Sequence, residues 1–350
     1  MINFRSLFLA VFLSFGISVG SSINYTVTHN EKERMANEAD DWMDDMPDGI
    51  QDRMSDAVNH SLHGFFSEIE TFRSNDNSQP PGNYSVTVKD IKGGKYSQIP
   101  MRVYSPTKKN KTILPILIYF HGGGWSLGSL STSDRFCRAL ASKGNLTVIS
   151  IDYPLTPEQP YPSAISTGRE AVDYIFSHVK DYSGAANMVS LGGDGAGGNI
   201  ALAVTYDLMS QNNSSEKIRS IVLYYPLLDI SKPLNAQSKR EFGRGYGFDS
   251  RLWEAFVSAY KIETPTGQKD YMQSPGLAPE SVLNTLPPAL LISAGKDIII
   301  LQEQDFATKS PNITYIEFEE ALHGFITDGH QNTAFNKAVE ITDSFLSTGK

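Results

Sequence analysis

The 350-residue sequence is poor in cysteine, in positive charge and in long apolar runs. Cys137 is its single cysteine, so an intramolecular disulfide is excluded and the fold must rest on its apolar core. Acidic residues outnumber basic ones by 39 to 30, and the net charge of -9 argues against nucleic acid as a partner. From residue 21 onwards no apolar run is long enough to cross a membrane. With 40% hydrophobic residues, the chain is predicted to be globular with a substantial core.

Residues 1–20 have the pattern of a secretory signal peptide. Arg5 precedes an apolar run over residues 7–19, and residues 18–20 suit cleavage near Ser21. The run is shorter than the roughly 20 residues of a spanning helix, so an uncleaved anchor is the less favoured alternative. N-x-S/T sequons, which favour the secretory route, occur at Asn24, Asn59, Asn83, Asn110, Asn145, Asn212, Asn213 and Asn312. We therefore predict a secreted or secretory-lumen protein without a membrane span after signal cleavage.

Residues 21–80 are predicted to form N-terminal cap helices and a linker. Apolar residues recur at helical spacing among Asp and Glu over residues 30–75, and residues 74–82 are rich in Asn, Ser and Pro. Such helices either form a lid over the edge of the sheet where substrate binds or pack as an ordinary pair on the side of the core. The composition does not favour one of these arrangements over the other. His60 and His63 lack a third ligand at matching spacing, so no metal site is predicted.

Residues 81–350 alternate between strand and helix patterns, which predicts a mostly parallel α/β sheet flanked by helices. The predicted strands are 84–88, 99–104, 116–120, 146–151, 188–190, 221–224, 289–292 and 313–316. Residues 229–274 interrupt the alternation with an aromatic-rich segment. An insertion of this kind beyond a strand end predicts a cap, lid or binding element, although packing of the insertion onto the body explains its aromatics as well.

The central motif is the glycine-rich turn L-G-G-D-G-A-G-G-N at residues 191–199. It lies between an apolar strand and an apolar helix pattern, which is the layout of a nucleophile elbow that lifts one side chain above the sheet. An elbow written G-x-S-x-G has serine where this chain has Gly195. The sequence therefore predicts the architecture of acyl transfer without its attacking hydroxyl. Asp194, Ser190 and Ser126 lie nearby, but none occupies the tip of the turn in this register.

Two further segments carry acyl-transfer chemistry. H-G-G-G-W at residues 121–125 follows a buried strand, and its glycines free backbone N–H groups to converge on an oxyanion. Asp297 and His323 each follow a later strand, and the order elbow, Asp, His is that of triads on the α/β-hydrolase fold. We expect Asp297 to orient the imidazole and His323 to act as general base.

In combination these motifs resemble the hormone-sensitive-lipase-like esterase family over residues 84–346, including D-Y-P-L-T-P-E at residues 152–158. The resemblance implies an α/β-hydrolase fold with a helical cap, hydrolysis of short-acyl carboxylic esters and no cofactor. A small-molecule ester or related ligand is the implied partner. Carried over residue by residue, the resemblance assigns oxyanion-hole N–H groups to Gly123, Gly124 and Ala196, and the acid and base to Asp297 and His323.

The sequence departs from the family pattern at three points. Gly195 replaces the nucleophilic serine, Ile298-Ile299 stands where Pro-Leu is usual, and the interval from Asp297 to His323 is a few residues shorter. Without a hydroxyl at position 195 no acyl-enzyme forms there, and loss of a triad nucleophile costs about a millionfold in turnover. We predict an esterase scaffold that is severely impaired or inactive as written.

The alternative is a non-catalytic pseudo-hydrolase that binds a small ester, lactone or hormone-like ligand. Retention of Asp297 and His323 favours the esterase scaffold, because a long-lived binding protein is freer to change them. A structural or adhesive role is the least favoured, since the oxyanion turn is intact.

Overall fold

The computed structural model describes residues 25–45, 83–96, 98–210, 218–262 and 270–348. The predicted signal peptide and most of the predicted cap helices and linker lie outside these residues, so both stay predictions. Within the described ranges no helix is long and apolar enough to cross a membrane.

An eight-stranded sheet forms the centre of the described structure. Its strands are β1 (Val86–Gly93), β2 (Ile99–Pro106), β3 (Ile116–Phe120), β4 (Thr147–Ile151), β5 (Val189–Asp194), β6 (Ile221–Tyr224), β7 (Ala289–Ala294) and β8 (Ile313–Phe318). Their order is β1-β2-β4-β3-β5-β6-β7-β8, with β2 antiparallel to both neighbours and the pairs from β4 to β8 parallel. The predicted α/β-hydrolase fold with a mostly parallel sheet is confirmed.

The central strands are buried at every residue, whereas the edge strand β1 alternates between exposed and covered positions. Helices cover both faces of the parallel part of the sheet. Because the side chains on both faces of these strands are buried, their sequences are mostly continuous apolar runs. The helices are α1 (His29–Asp45), α2 (Asp134–Ala141), α3 (Ser163–Ser177), α4 (Ala196–Ser210), α5 (Ala236–Phe242), α6 (Ser250–Tyr260), α7 (Glu280–Leu283), α8 (Ile300–Ala307) and α9 (Asn332–Thr348).

The described part of the N-terminal segment is α1, which packs against α9. Met35 and Ala39 are buried there, and Glu38 accepts hydrogen bonds of 2.7 Å from the backbone N–H and the hydroxyl of Thr333. The Lys32 ammonium lies 2.7 Å from the Glu319 carboxylate at the end of β8. This helix therefore covers the side of the core beside α9, while the cap role of the remaining residues of 21–80 stays a prediction.

The insertion at 229–274 contributes α5 and α6. Asp249 caps α6 by accepting from the backbone N–H groups of Arg251 and Leu252. Tyr260, at the end of α6, stacks on Trp125 with ring centroids 4.2 Å apart. Because Trp125 belongs to the glycine-rich turn after β3, α6 lies over the carboxyl edge of the sheet, where ligands of open α/β sheets bind.

Candidate active site

The strand β5, the residue Gly195 and the helix α4 form a sharp strand-turn-helix bend. Gly195 has φ +54°, donates its N–H to the Tyr224 carbonyl at 3.0 Å and accepts from the Leu227 N–H at 3.1 Å. A Cβ added at Gly197 would lie 2.0 Å from the Phe120 carbonyl oxygen. Glycine is therefore required at Gly197, because the backbone of the turn packs directly against the backbone at the end of β3 and leaves no room for a Cβ.

A side chain at position 195 would face the imidazole of His323. A Cβ built on Gly195 lies 3.5 Å from His323 Nε2 and 3.9 Å from its Cε1, and no other atom beyond its chain neighbours comes within 4 Å. The structure thus brings Gly195 and His323 together across a space the size of a small side chain.

The imidazole of His323 is oriented by Asp297. Nδ1 of His323 lies 2.6 Å from Oδ2 of Asp297, whose other oxygen accepts the backbone N–H of Ile299 at 3.1 Å. The carboxylate accepts only, so Nδ1 carries the proton and Nε2 of the neutral ring is left as an acceptor toward Gly195. The ring packs between Tyr225 at 4.6 Å and Phe248 at 4.4 Å, measured between centroids.

The turn after β3 supplies free backbone donors beside the elbow. Gly123 and Gly124 have φ +121° and +58°, conformations that favour glycine. Among the described residues, the N–H groups of Gly123, Gly124 and Ala196 find no hydrogen-bond acceptor. The neighbouring N–H of Gly122 donates to Asp194 at 3.1 Å, which holds this turn against the elbow. The arrangement can place amide donors on an oxygen near Gly195.

Asp194 lies beneath the turn rather than at its tip. Its Oδ1 accepts from the Tyr119 hydroxyl at 2.8 Å and from the Gly122 N–H, and the side chain is buried. Desolvation raises the pKa of Asp194 to about 6, an effect that these hydrogen bonds and the charge of His323 partly offset. A carboxyl group held in this way fastens the glycine-rich turn after β3 to the bend and has its hydrogen-bond partners beneath the tip.

The hydroxyl groups of the two other alternative nucleophiles are also hydrogen-bonded to neighbouring side chains. Ser126 Oγ lies 2.6 Å from Thr156 Oγ1, and Ser190 Oγ lies 2.8 Å from Ser220 Oγ. Both serine side chains are fully buried, so neither offers a reactive hydroxyl.

Sequence reasoning missed three residues around the pair of Asp297 and His323. Tyr225 and Phe248 pack against the ring of His323, and Glu303 in α8 is a buried carboxyl that feels the charge of Asp297. Burial, followed by the negative charge of Asp297, raises the pKa of Glu303 well above its ordinary value. The one signal for Glu303 was a carboxylate in the helix just after Asp297. No group of three or more candidate metal ligands occurs among the described residues.

Residues 117–327 match the model of a protein family described by the alpha/beta hydrolase fold. The chain therefore belongs to this α/β-hydrolase family.

Three relatives illustrate the family. The carboxylic ester hydrolase LipN of Mycobacterium tuberculosis is 34% identical over 235 residues, which are 66% of this chain and 61% of LipN. The acetyl esterase of Salmonella schwarzengrund is 29% identical over 261 residues, 73% of this chain and 75% of that enzyme. An ester hydrolase from the metagenome of Lake Arreo, solved with a bipyridine phosphonate derivative, superposes with a TM-score of 0.71 at 28% identity. That match covers 89% of this chain and 97% of the other. The chain spans about three fifths of the length of several curated relatives that it matches.

Proposed function

We propose that this chain is a hormone-sensitive-lipase-like carboxylesterase scaffold for short-acyl esters, with its nucleophile position at Gly195. The observation that carries the proposal is the Cβ position of residue 195, which faces Nε2 of His323 at 3.5 Å. A serine hydroxyl at this position comes within hydrogen-bond reach of the base. The 2.6 Å contact between Asp297 and His323 supports the assignment of acid and base.

The chemistry requires four contributions from the chain. A serine hydroxyl at 195 would transfer its proton to His323 Nε2 as it attacks the ester carbonyl, while Asp297 offsets the charge of the imidazolium. The N–H groups of Gly123, Gly124 and Ala196 would stabilise the oxyanion that develops. The chain as written lacks the hydroxyl, so the first step fails and turnover is severely impaired or absent.

The aromatic walls of the site favour a ligand with a small acyl group. Phe248 lies against His323, and the ring of Phe256 fills the space next to Gly124, where an added Cβ would approach it to 2.2 Å. These rings leave little room beside the oxyanion donors and offer no charge. The names of the relatives, a carboxylic ester hydrolase and an acetyl esterase, agree with an ester of short acyl chain.

We further propose that residues 1–20 direct the chain into the secretory pathway and that the part of residues 21–80 outside α1, together with residues 229–274, forms the cap. Expression in secretory cells and N-terminal sequencing of the protein in the medium tests the first part. A chain retained in the cells with residue 1 intact contradicts it.

Restoration of the hydroxyl tests the catalytic proposal. Hydrolysis of p-nitrophenyl acetate and butyrate is compared between the chain, Gly195→Ser and the matched control Gly195→Ala, which carries a Cβ without a hydroxyl. Because loss of a triad nucleophile costs about a millionfold, Gly195→Ser is expected to raise kcat by at least about a thousandfold. The double variant Gly195→Ser with His323→Ala is expected to lose that gain.

If folded Gly195→Ser hydrolyses these esters no faster than Gly195→Ala, the catalytic assignment is wrong. Stabilisation of the glycine form by ligands without turnover then favours the binding protein that the sequence left as an alternative.

A further inference from the structure

The bend at Gly195 brings together hydrogen-bonding groups of two kinds. The first is His323 Nε2, which would lie 3.5 Å from a Cβ at position 195. The N–H groups of Gly123, Gly124 and Ala196, in the turn after β3 and at the start of α4, have no acceptor among the described residues, and the Gly122 N–H holds the first of these segments against Asp194, the residue before Gly195. Ala196 begins the 15-residue helix α4, whose dipole adds positive potential at this point. A ligand with two adjacent oxygen atoms satisfies both kinds of group.

We propose that the glycine form of this site binds short-chain carboxylic acids, with one carboxyl oxygen at the oxyanion amides and the other hydrogen-bonded to His323 Nε2. The second oxygen occupies the place that a serine hydroxyl would take. The inference rests on the proposed function, because it uses the same amides and the same imidazole. It goes further by naming a ligand that the glycine form binds and the serine form excludes.

Glycine at position 195 is essential to this arrangement. A serine side chain would add a Cβ and an oxygen to the space, and its oxygen would compete with the ligand for Nε2. No atom other than those of His323 and the chain neighbours comes within 4 Å of the Cβ position, so the glycine form leaves this volume open. The carboxyl group therefore reaches the imidazole directly.

One proton must be shared between the ligand oxygen and Nε2. The titratable groups that face the imidazole are Asp297 at Nδ1, Asp194 beneath the turn and Tyr225 against the ring, and Glu303 faces Asp297 in turn. These carboxyls disfavour a further negative charge, so the complex takes up a proton rather than binding a bare carboxylate to a neutral ring. Since burial raises the pKa of Asp194 to about 6, its charge is also lost at lower pH. Both effects strengthen binding as the pH falls.

Butyrate is the probe, and 2-pentanone is its matched control. The two molecules have the same carbonyl and the same propyl chain, but the ketone carries a methyl group where the acid has its second oxygen. Ligand-observed NMR titrations of the chain at pH 5.5, 6.5 and 7.5 give Kd for each. We expect butyrate to bind at least about tenfold more tightly than 2-pentanone at pH 5.5, as one charge-assisted hydrogen bond allows. The Kd of butyrate should rise by up to about tenfold per pH unit, and that of 2-pentanone should stay constant.

The same titration on Gly195→Ser and Gly195→Ala is expected to weaken butyrate binding by about tenfold or more, because the side chain fills the oxygen position. Circular dichroism establishes that both variants are folded. The comparison of butyrate with 2-pentanone and the pH series are both made on the unmodified chain, so their results do not depend on whether the variants fold.

Absent butyrate binding, equal Kd values for butyrate and 2-pentanone, or a butyrate Kd that does not change with pH each overturn the inference. Hydrolysis by Gly195→Ser is read separately. An active serine variant whose glycine parent does not bind butyrate defeats this inference alone, whereas butyrate binding with an inactive serine variant defeats only the catalytic proposal.

Discussion

Replacement of Asp194 by asparagine is expected to change how the free energy of unfolding depends on pH. The carboxyl of Asp194 is buried beneath the elbow, where Tyr119 and the N–H of Gly122 donate to one of its oxygens. Asparagine keeps the size and an acceptor oxygen but does not titrate. The substitution therefore separates the cost of the buried charge from the packing of the side chain.

The magnitude follows from the pKa of Asp194, which desolvation raises from 3.8 to about 6. A raised pKa means that folding favours the protonated form, so this group stabilises the fold fully below pH 3.8 and loses that contribution as the pH rises to about 6. A difference of about two pH units corresponds to about 3 kcal/mol. The stability of Asp194→Asn relative to the parent should therefore increase by about 3 kcal/mol across this window.

Urea denaturation between pH 3 and pH 8 measures this difference at each pH. The substitution of an amide for the carboxyl also changes the free energy of unfolding by an amount that does not depend on pH. This amount cancels, because only the change of the difference with pH is compared. Asp41, which is exposed on α1, provides the matched control Asp41→Asn, for which the difference is expected to stay near zero. A relative stability of Asp194→Asn that is flat with pH, or that falls as the pH rises, would refute the reasoning.

Three other substitutions test the site. In the Gly195→Ser background, Asp297→Asn is expected to lower kcat for p-nitrophenyl butyrate by about 10⁴, because the amide favours the wrong imidazole tautomer, and an unchanged kcat contradicts the assigned role. In the same background, Phe256→Leu opens space beside Gly124, so the ratio of kcat/KM for octanoate over acetate esters should rise severalfold rather than stay constant. Glu303→Gln should raise the free energy of unfolding at pH 7, since the buried carboxyl has a strongly raised pKa, and urea melts with no gain would count against this.

The fold was predictable from the sequence because its central strands are buried on both faces. Runs such as residues 116–120 and 289–292 are apolar throughout and alternate with helical patterns, which leaves a parallel sheet as the natural arrangement. The role of α1 was not predictable. An amphipathic helix carries one apolar stripe, and the stripe alone does not say whether it faces a substrate or the neighbouring α9.

The dyad of the site was predicted as a pair of residues from motif order, since loops at the carboxyl ends of parallel strands meet at one edge. The surroundings of His323 could not be predicted in this way. Phe248 comes from an insertion with no strand register, and Tyr225 has φ +35° just after β6, a local conformation that no sequence pattern marks. Glu303 is one of four polar residues in α8, and its burial depends on tertiary packing rather than on its own helix.

The close approach of main-chain segments under the bend divides the site into a part that tolerates mutation and a part that does not. A methyl group at Gly193 would lie 2.4 Å from the carbonyl carbon of Gly197, and one at Gly197 would meet the Phe120 oxygen. Main-chain atoms cannot swing aside as a rotamer does, so no combinatorial library at these glycines should yield folded variants. Variation at Phe248 and Phe256 leaves the amide donors in place, and laboratory evolution of new ligand preferences should therefore accumulate changes in the aromatic walls.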